Sequence, residues 1–595
     1  MDKKNTIIGV LLLVAAMASF YIGARLTPPA PSRTPIVAPT ANPLGKNEAQ
    51  PSAPARSPSD AALIPSKAPA AGPADFVTLS NDFIEVKFTD QGGAIDSVSL
   101  KKYPAEQGKP ALYKLNAEQI APALSLTDFP GADLHTKYTL VSQTATDITY
   151  RTVVDGGLEV TRHYSLAKVA GRDDYQIRHD TTFRNLTDKA MPLPKAALNL
   201  GTAVQLNDSN FGRFLNVGYF DGKDTTFVGR SELEGGGLLA AVGAKDGAPL
   251  PYIEKPSSII WASVKNQFFA MILTPDQSGT GVRIQRVKVE PAKPDTDKTA
   301  YGITGYAQFD IKPLAPGAST ALGGDFFAGP KEYKRLSNAD IFTHREDKVM
   351  QFDSSFYYKM FFTGFFAPLL LTMMTWIHTW ALNWGLAIII TTLILKSVFM
   401  PLTLAASRSS KRMAKLNPLM KAMREKYKDN PQKIQSETLR LFKENKVNPV
   451  GGCVPMLITI PFFIAFYGML QSASDLRFAH FLWVLDLSAP DTVGHLFGFP
   501  VNIMPLLMGA TMIFQMRLTP TPATDNAQAS MMKIMPWIFT LFCYTFPAGL
   551  ALYSTINGLF TIVQQTIINR MPEPHLPSVG GDGLKNVTPT KKKKG

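Results

Sequence analysis

The sequence predicts two parts of different fold class: an α-helical membrane protein of six spans, five of them in a C-terminal core, and an all-β domain after the first span. Three observations carry this prediction. An apolar run stands near the N-terminus, short alternating stretches fill 76–345, and long apolar runs return from 355 onwards. Alternation with a period of two indicates half-buried strands, whereas apolar runs of about 20 residues indicate membrane helices.

The N-terminal segment predicts an uncleaved membrane anchor at 1–26. Ala16-Met17-Ala18 resembles a signal-peptide cleavage site but lies inside the apolar run, so an anchor with a cytoplasmic N-terminus is favoured over a cleaved signal. Residues 27–75 are so rich in proline and alanine that they cannot bury a core. They are expected to form a semi-extended linker.

The region 76–345 predicts one domain of antiparallel strands. FIEVKFT (83–89) and ALGGDFF (321–327) alternate apolar and polar residues, and turn sequences such as Gln91–Gly93 interrupt these stretches. Many short strands separated by turns are typical of a sandwich or a barrel.

The rest of the chain predicts a membrane part in which apolar and charged segments alternate. Segment 404–447 carries a net charge of +8, from twelve Lys or Arg and four Asp or Glu residues. Positive segments stay in the cytoplasm, so only one crossing can separate the exported β domain from this segment. We therefore predict, in chain order, an interfacial amphipathic helix at 355–381, a span at 384–403, a basic cytoplasmic helical hairpin at 404–447, spans at 450–471, 500–516, 532–546 and 549–569, and a basic cytoplasmic tail at 570–595.

Polar side chains on two predicted spans are candidate functional residues. Lys396 lies well inside the apolar run 386–403, and Thr392 precedes it by about one helical turn on the same face. A charge there costs free energy in lipid and usually faces protein or water. The alternative is a lysine whose stem reaches the cytoplasmic surface. The last span carries a polar stripe that either lines a cavity or hydrogen-bonds between helices. Its members are Tyr553, Asn557, Thr561 and Gln564.

The basic hairpin predicts an anionic partner. Asn417-Pro418 and Asn430-Pro431 each predict a helix N-cap followed by proline at the first helical position. The apolar stripes of the two helices either pack on each other or offer adaptable methionine contacts. The positive charge suits lipid headgroups, an acidic protein or ribosomal RNA. The candidate residues are Arg408, Lys411, Arg412, Lys415, Met420 and Met423, with Lys591, Lys592, Lys593 and Lys594 of the tail.

The sequence lacks the common catalytic and metal-binding patterns: HExxH, CxxC, a phosphate-binding loop and GxSxG do not occur. The two cysteines, Cys453 and Cys543, lie in apolar segments, so the β domain has no disulfide framework. We expect a protein that is not an enzyme and that needs no metal or cofactor.

The chain resembles the YidC/Oxa/Alb family of membrane-protein insertases, in its Gram-negative form with a large periplasmic domain. The resemblance covers essentially the whole chain. It is strongest in WIHTWALNWGLAIIITTLILKSVFMPLT (376–403), KVNPVGGCVPMLITIPFFIAFYGML (446–470) and FPAGLALYSTINGLFTIVQQ (546–565). The run Asn448–Cys453 is specific to this family, whereas the periplasmic region matches the family pattern only loosely.

The resemblance implies a periplasmic β-supersandwich and a five-span core that encloses a hydrophilic groove, closed to the periplasm. A groove cation, here Lys396, would attract the polar tail of a substrate, whose apolar helix would leave along the third and fifth spans. The implied groove lining is Thr392, Thr459, Tyr553, Asn557 and Gln564. The implied partners are nascent membrane proteins, the Sec translocon, the ribosome, a targeting receptor and anionic lipids, but not DNA. The implied location is the bacterial inner membrane, with both termini in the cytoplasm.

Three positions depart from the family pattern. Lys396 stands where relatives usually have arginine, and a lysine loses its proton more readily on burial. Thr459 replaces a glutamine found in many relatives, which makes wetting of the groove less certain there. Ser554 follows Tyr553 where some relatives have a second aromatic residue.

Two other functions are consistent with this architecture. A small-solute transporter with a periplasmic binding domain would often show internal repeats, but the spans show none, and the +8 hairpin has no transport role. A membrane-tethered carbohydrate-binding or sugar-modifying protein would use the β domain instead. Deleting that domain distinguishes this last function from an insertase.

Overall fold

The structure is a computed structural model that describes residues 73–571 apart from 130, 135, 155, 207–213, 235–248, 290–299, 355, 429, 446–453 and 519–525. The predicted anchor 1–26, the linker as far as residue 72 and the tail from 572 lie outside the described residues. The described chain forms two compact units. The β unit comprises 73–356 with 472–475, and the helical unit comprises 357–471 and 476–571.

The described part of the β unit consists mainly of strands between about two and twelve residues long. They are β1 (Phe76–Ser80), β2 (Ile84–Thr89), β3 (Ala94–Pro104), β4 (Leu112–Leu115), β5 (Leu126–Thr127), β6 (Thr139–Gln143), β7 (Asp147–Val154), β8 (Leu158–Ser165), β9 (Gln176–Asn185), β10 (Ala196–Ala203), β11 (Asn216–Phe220), β12 (Thr225–Gly229), β13 (Ile253–Ile259), β14 (Trp261–Lys265), β15 (Phe269–Pro275), β16 (Gly279–Lys288), β17 (Tyr301–Phe309) and β18 (Ser319–Pro330).

These strands form three antiparallel sheets, which confirms the predicted strand class. The largest sheet has the order β12-β11-β14-β15-β18-β9-β8-β7-β6, the second has β13-β16-β17-β10-β5, and the third has β1-β2-β3-β4. β10 is buried at all eight positions. β11 and β17 pack face to face so closely that a Cβ on Gly305 would lie 2.9 Å from Val217 Cγ1. The largest and the second sheet are therefore stacked, as in a sandwich.

The turn between β2 and β3 shows why the sequence places glycine there. Gly92 and Gly93 have φ of 70° and 54°, a region that L side chains rarely adopt. A Cβ on Gly93 would also lie 3.0 Å from the ring of Tyr138. Both the backbone conformation and the packing therefore require a glycine at position 93.

The β unit continues beyond the predicted boundary at 345, because side chains after that point bond into the sheets. Thr274 Oγ1 donates to Glu346 Oε1 at 3.0 Å. Lys265 donates to the Gln351 side chain. Residues up to 356 consequently belong to the β unit.

The helices of the described chain lie mostly in the helical unit. They are α1 (Arg230–Leu233), α2 (Tyr333–Leu336), α3 (Phe356–Met360), α4 (Thr363–Ala381), α5 (Trp384–Lys415), α6 (Asn417–Lys426), α7 (Pro431–Glu444), α8 (Val454–Leu470), α9 (Ile503–Leu518), α10 (Asn526–Phe542) and α11 (Ala548–Arg570). Short 3₁₀ helices occur at Glu346–Met350, Ser474–Leu476 and Cys543–Thr545, and a hairpin of β19 (Thr492–Leu496) and β20 (Phe499–Asn502) precedes α9.

Helix α5 is longer than the predicted span at 384–403 and continues to Lys415. The first part of the predicted hairpin segment 404–447 is thus the end of α5, and α6 and α7 form the rest. The predicted N-cap at Asn430 is confirmed, since its side chain accepts from the Lys433 amide. The predicted N-cap at Asn417 is wrong. The preceding Leu416 has helical backbone angles, so α6 begins almost without a break after α5.

The predicted interfacial helix at 355–381 is divided into α3 and α4. Phe362 between them has a φ of 53°, which ends one helix before the next begins.

Among the described helices, one is both long and apolar enough to cross a bilayer, and it spans Trp384–Ala414 of α5. Shorter apolar helical stretches lie at Thr459–Leu470, Ile503–Leu518 and Ile534–Thr545. The predicted count of six spans is therefore not confirmed by helix length and composition. Helix α11 has 23 residues, but its polar stripe lowers its mean hydropathy.

Candidate functional site

The candidate site begins with the polar positions of α5. Thr392 is 1% exposed, and its hydroxyl donates to the Ile388 carbonyl at 2.7 Å, within its own helix. This bond satisfies the hydroxyl and leaves its oxygen with further capacity to accept. Lys396 follows one turn later on the same face.

Lys396 is held by α11. It is half-buried, and its Nζ donates to Thr561 Oγ1 at 3.0 Å. The Thr561 hydroxyl in turn donates to the Asn557 carbonyl at 2.7 Å. Among the described residues the ammonium group thus has one hydrogen-bond acceptor, and it retains capacity for two more hydrogen bonds. The predicted stripe of α11 therefore faces the helix that carries the lysine.

Lys396 borders a recess within the helical unit. The recess has an empty volume of about 360 Å³, counted together with the open space at its mouth. It is lined by Thr392, Leu395, Lys396, Phe399, Thr403, Thr459, Phe462, Tyr553 and Asn557. Hydroxyls, an amide and an ammonium group thus face a common space on otherwise apolar helices. Such a recess can offer hydrogen bonds and a positive charge to a polar segment of another chain.

Two members of the predicted lining have mainly packing roles in this structure. Tyr553 is 3% exposed, and its ring stacks on Phe466 with centroids 4.3 Å apart. Gln564 does not line the recess, but its Nε2 donates to Thr403 Oγ1 at 2.8 Å. Both residues join α11 to its neighbours, the alternative that the sequence left open.

The sequence did not identify all the lining residues. Thr403 lies two turns after Lys396 on the same face, so helical periodicity could have identified it. Phe399 and Phe462 could not have been found this way, because aromatic residues on apolar helices usually face lipid or other helices. Their place at the recess depends on how α5 and α8 pack.

The cations of the predicted hairpin divide into two groups. Arg408 and Arg412 are exposed. Lys411 is half-buried, and its Nζ donates to the carbonyl of Ile568 in the last turn of α11. A cation at a helix C-terminus is favourable because it interacts with the negative end of the helix dipole. Lys411 thus stabilises α11, whereas the side chain of Lys415 lies outside the described residues.

The hairpin methionines are buried. Met420 and Met423 are 3% and 8% exposed. A neighbouring cluster contains Met413 and Leu416, against which Leu441 of α7 packs. The apolar stripes of the hairpin therefore pack against protein. The tail lysines, Lys591 to Lys594, lie outside the described residues.

The chain matches two protein-family models. Residues 76–372 match the model described as the YidC periplasmic domain, and residues 376–574 match the model of a 60Kd inner membrane protein. The two matches follow one another along the chain and together cover nearly all of the described strands and helices of both units.

Curated relatives match over most of their length. The membrane protein insertase YidC of Burkholderia cenocepacia is 30% identical over 524 residues, which are 85% of this chain and 86% of the relative. That of Chlorobaculum tepidum is 28% identical over 515 residues, 83% of this chain and 81% of the relative. A crystal structure of an active YidC insertase with its first transmembrane domain resolved covers 84% of this chain and 95% of that chain, at 16% identity and a TM-score of 0.32.

These matches define an inner-membrane protein with a β-rich periplasmic domain and a helical C-terminal region. The chain belongs to the YidC family.

Proposed function

We propose that this chain inserts newly made proteins into the bacterial inner membrane, using the recess beside Lys396 as a half-membrane hydrophilic groove. One observation carries the proposal. Lys396 is held beside Thr561 at the edge of a recess whose lining includes Thr392, Thr459 and Asn557. The names of the relatives, membrane protein insertases, support the same activity.

The recess lowers the barrier for a polar segment. Backbone and side-chain polar groups need hydrogen-bond partners, which lipid does not supply. Thr392, Thr459 and Asn557 would supply some of these partners within the membrane, together with water. The segment then has less hydrocarbon to cross, and no covalent chemistry is required.

The charge of Lys396 selects and orients the segment. An acidic side chain near the ammonium gains Coulomb energy, which is larger in a site of low dielectric constant than in water. The membrane potential adds about 2.3 kcal/mol per charge per 100 mV in favour of moving a negative charge outwards. Thr561 keeps the ammonium at the recess in the absence of substrate.

The proposed topology has six spans, with both termini in the cytoplasm and the β unit in the periplasm. The anchor 1–26 is the first span, and α5, α8, α9, α10 and α11 are the others. The +8 segment 404–447 supports this orientation, because positive segments remain inside. The described parts of α8 and α9 have 17 and 16 residues, about 25 Å of helix.

The proposed partners in the cytoplasm are the ribosome, a targeting receptor and anionic lipids. Exposed Arg408 and Arg412 provide positive charge for phosphate groups. Cooperation with the Sec translocon through the periplasmic domain is proposed from the family resemblance. Met420 and Met423 are buried, so the proposed contact surface does not include them.

Insertion of a single-span substrate with an acidic exported tail tests the role of Lys396. Vesicles would carry wild type, Lys396→Arg, Lys396→Ala or Lys396→Glu at matched protein levels. We expect Arg to support insertion, Ala to lose at least about tenfold in rate, or about 1.4 kcal/mol, and Glu to lose more. Protease protection of the exported tail is the measurement.

The matched control is Lys421→Ala, which removes one positive charge from an exposed position of α6. We expect this variant to insert the substrate like wild type. A substrate with a neutral tail should depend less on Lys396. Equal insertion by all four Lys396 variants would show that this ammonium has no part in insertion.

A further inference from the structure

The hairpin β19–β20 ends in an exposed apolar tip. Leu496 and Phe499 pair across the strands, leaving Phe497 and Gly498 as a two-residue turn. Phe497 is 92% exposed, Phe499 is 76% exposed and Leu496 is 61% exposed. Adjacent large apolar side chains with this exposure are unusual on a surface that faces only water.

The base of the hairpin is fixed by polar contacts. Asp491 Oδ2 accepts hydrogen bonds from Trp483 Nε1 and from the amides of Ile503 and Met504, so it caps the N-terminus of α9. Asn502 Nδ2 donates to the Tyr544 carbonyl at 2.7 Å. The tip is therefore presented on an ordered base and is attached directly to α9.

The chemistry of the tip differs from that of a turn in the β unit. The turn between β11 and β12 contains Asp221, Lys223 and Asp224, and Asp221 accepts the amides of the other two. By contrast, the chain has no Lys or Arg between Arg477 and Arg517. The two carboxylates between Arg477 and Arg517 are those of Asp486 and Asp491, and both accept hydrogen bonds from residues of the same stretch.

The backbone of the turn also favours a residue other than phenylalanine. Phe497 and Gly498 have φ of 51° and 81°, and such turns usually take asparagine or aspartate followed by glycine. A bulky residue with positive φ is strained. Phenylalanine thus replaces the residue that this turn favours, and its exposed ring is explained if the ring has an apolar environment.

We propose that the β19–β20 tip inserts into the lipid interface of the periplasmic leaflet. This inference rests on the proposed topology, in which α9 enters the membrane from the periplasmic side. The apolar surface of the tip then continues the lipid-facing surface of α9, where Leu506, Leu507 and Phe514 are exposed.

The lipid interface suits this tip better than a charged partner does. The tip has no Lys or Arg, so it is expected to bind neutral and anionic bilayers equally. The apolar face of an interfacial segment is buried about 5–10 Å into the boundary between headgroups and acyl chains. Because the tip is attached directly to α9, its insertion would hold the N-terminal end of that helix at a defined depth.

Depth-dependent fluorescence quenching tests the proposal in the full chain. A chain with Cys453→Ala and Cys543→Ala would carry one new cysteine, Phe497→Cys, Lys223→Cys or Phe514→Cys, labelled with an environment-sensitive nitrobenzoxadiazole dye. The proteins would be reconstituted in phosphatidylcholine vesicles with or without phosphatidylglycerol. Quenching by nitroxide lipids and by aqueous iodide would be compared.

We expect the dye at 497 to have blue-shifted emission and to be quenched by shallow nitroxide lipids but poorly by iodide, in both bilayers. The dye at 223 should show the reverse. The dye at 514, about 16 Å along α9, should be quenched best by deep nitroxides. Iodide quenching at 497 equal to that at 223 would overturn the proposal, as would resistance to both quenchers, which would show that protein covers the tip.

The dye at 514 separates this proposal from the topology on which it rests. If nitroxide lipids quench the dye at 514 but not the dye at 497, α9 spans the membrane as proposed but the β19–β20 tip does not insert. If nitroxide lipids quench neither dye, the proposed topology of α9 is wrong, and the proposed insertion of the tip is overturned with it. A second labelled variant, Leu496→Cys, excludes a result caused by loss of the Phe497 ring itself.

Discussion

Lys396 and His179 are ionisable groups in apolar surroundings, but they differ in exposure and in the charge of their hydrogen-bond partners. Lys396 is half-buried and has a hydroxyl acceptor in Thr561 at 3.0 Å. His179 is fully buried in the β unit, where its Nε2 lies 3.2 Å from Arg162 Nη2. An ammonium at the edge of a recess can remain charged and available, whereas an imidazole beside a guanidinium is kept neutral.

His179 therefore makes the β unit sensitive to acid. Burial, reinforced by the positive charge of Arg162, lowers the pKa of His179 well below its usual 6.5. The folded protein binds no proton at this ring near neutral pH, but the unfolded chain binds one below about 6.5. The contribution of His179 to the free energy of unfolding is therefore complete above about pH 6.5. As the pH falls below that value, it decreases by up to about 1.4 kcal/mol per pH unit.

We predict that His179→Gln reduces this loss of stability between pH 6.5 and 5, because glutamine can accept from Arg162 and does not titrate. Trp261 is buried in the same sheet and can report unfolding of the β unit, once the other five tryptophans are replaced by phenylalanine. Thermal unfolding in detergent at each pH is the measurement. Parallel pH profiles for variant and parent would contradict the assignment.

At the scale of elements, the helical unit depends on close approach of α9 and α11. A Cβ on Gly558 would lie 2.8 Å from Thr511 Oγ1 and 3.1 Å from Thr511 Cβ. Small residues let membrane helices pack closely, and dispersion attraction between the closely packed atoms holds them together, because the hydrophobic effect is absent between helices in lipid. The same helix, α11, carries the acceptor for Lys396, so its position matters for the recess.

We predict that Gly558→Leu destabilises the helical unit by about 1–3 kcal/mol, because α9 must move away from α11. The thiol of Cys543 is buried and can report this as the single reactive group after Cys453→Ala. Its reaction with a maleimide dye on heating should occur several degrees lower in the variant.

Leu559→Ala is the control for this experiment, since Leu559 is the next residue and is exposed. It should leave the temperature of thiol reaction nearly unchanged. A similar shift in both variants would show that α11 tolerates no change at all in this region, and would remove the argument for close packing at Gly558.

At the scale of the whole molecule, the chain joins two units with separate cores. All the recess residues lie on α5, α8 and α11, which belong to the helical unit. The β unit has its own stacked sheets. The proposed insertion step therefore needs groups from the helical unit, and a carbohydrate-binding protein would need groups from the β unit.

We predict that deletion of 76–355, the β unit as the structure bounds it, leaves insertion of a short single-span substrate within a few-fold of wild type. Adding Lys396→Ala to the deleted chain should abolish the remaining insertion. Protease protection at matched protein levels is the measurement. Complete loss of insertion by the deletion alone, with the helical unit still folded, would favour a function centred on the β unit.

Much of this organisation follows from the sequence. Periodicity distinguished the antiparallel strands of 76–345 from the helical region, because the two patterns have different periods. The spacing of Tyr553, Asn557, Thr561 and Gln564 placed them on one stripe, and Asn430 was identified as a cap. Each of these features depends on residues within about twelve positions of one another, where local geometry decides.

The tertiary structure decided the rest. It showed that Thr561 holds Lys396, that Phe399 and Phe462 border the recess, and that Lys411 contacts the end of α11. These contacts join residues far apart in the chain, and many alternative pairings satisfy the same periodicity. By itself the sequence determined which faces of the helices are polar. Only packing decided which faces meet, because close approach depends on the shapes of both partners.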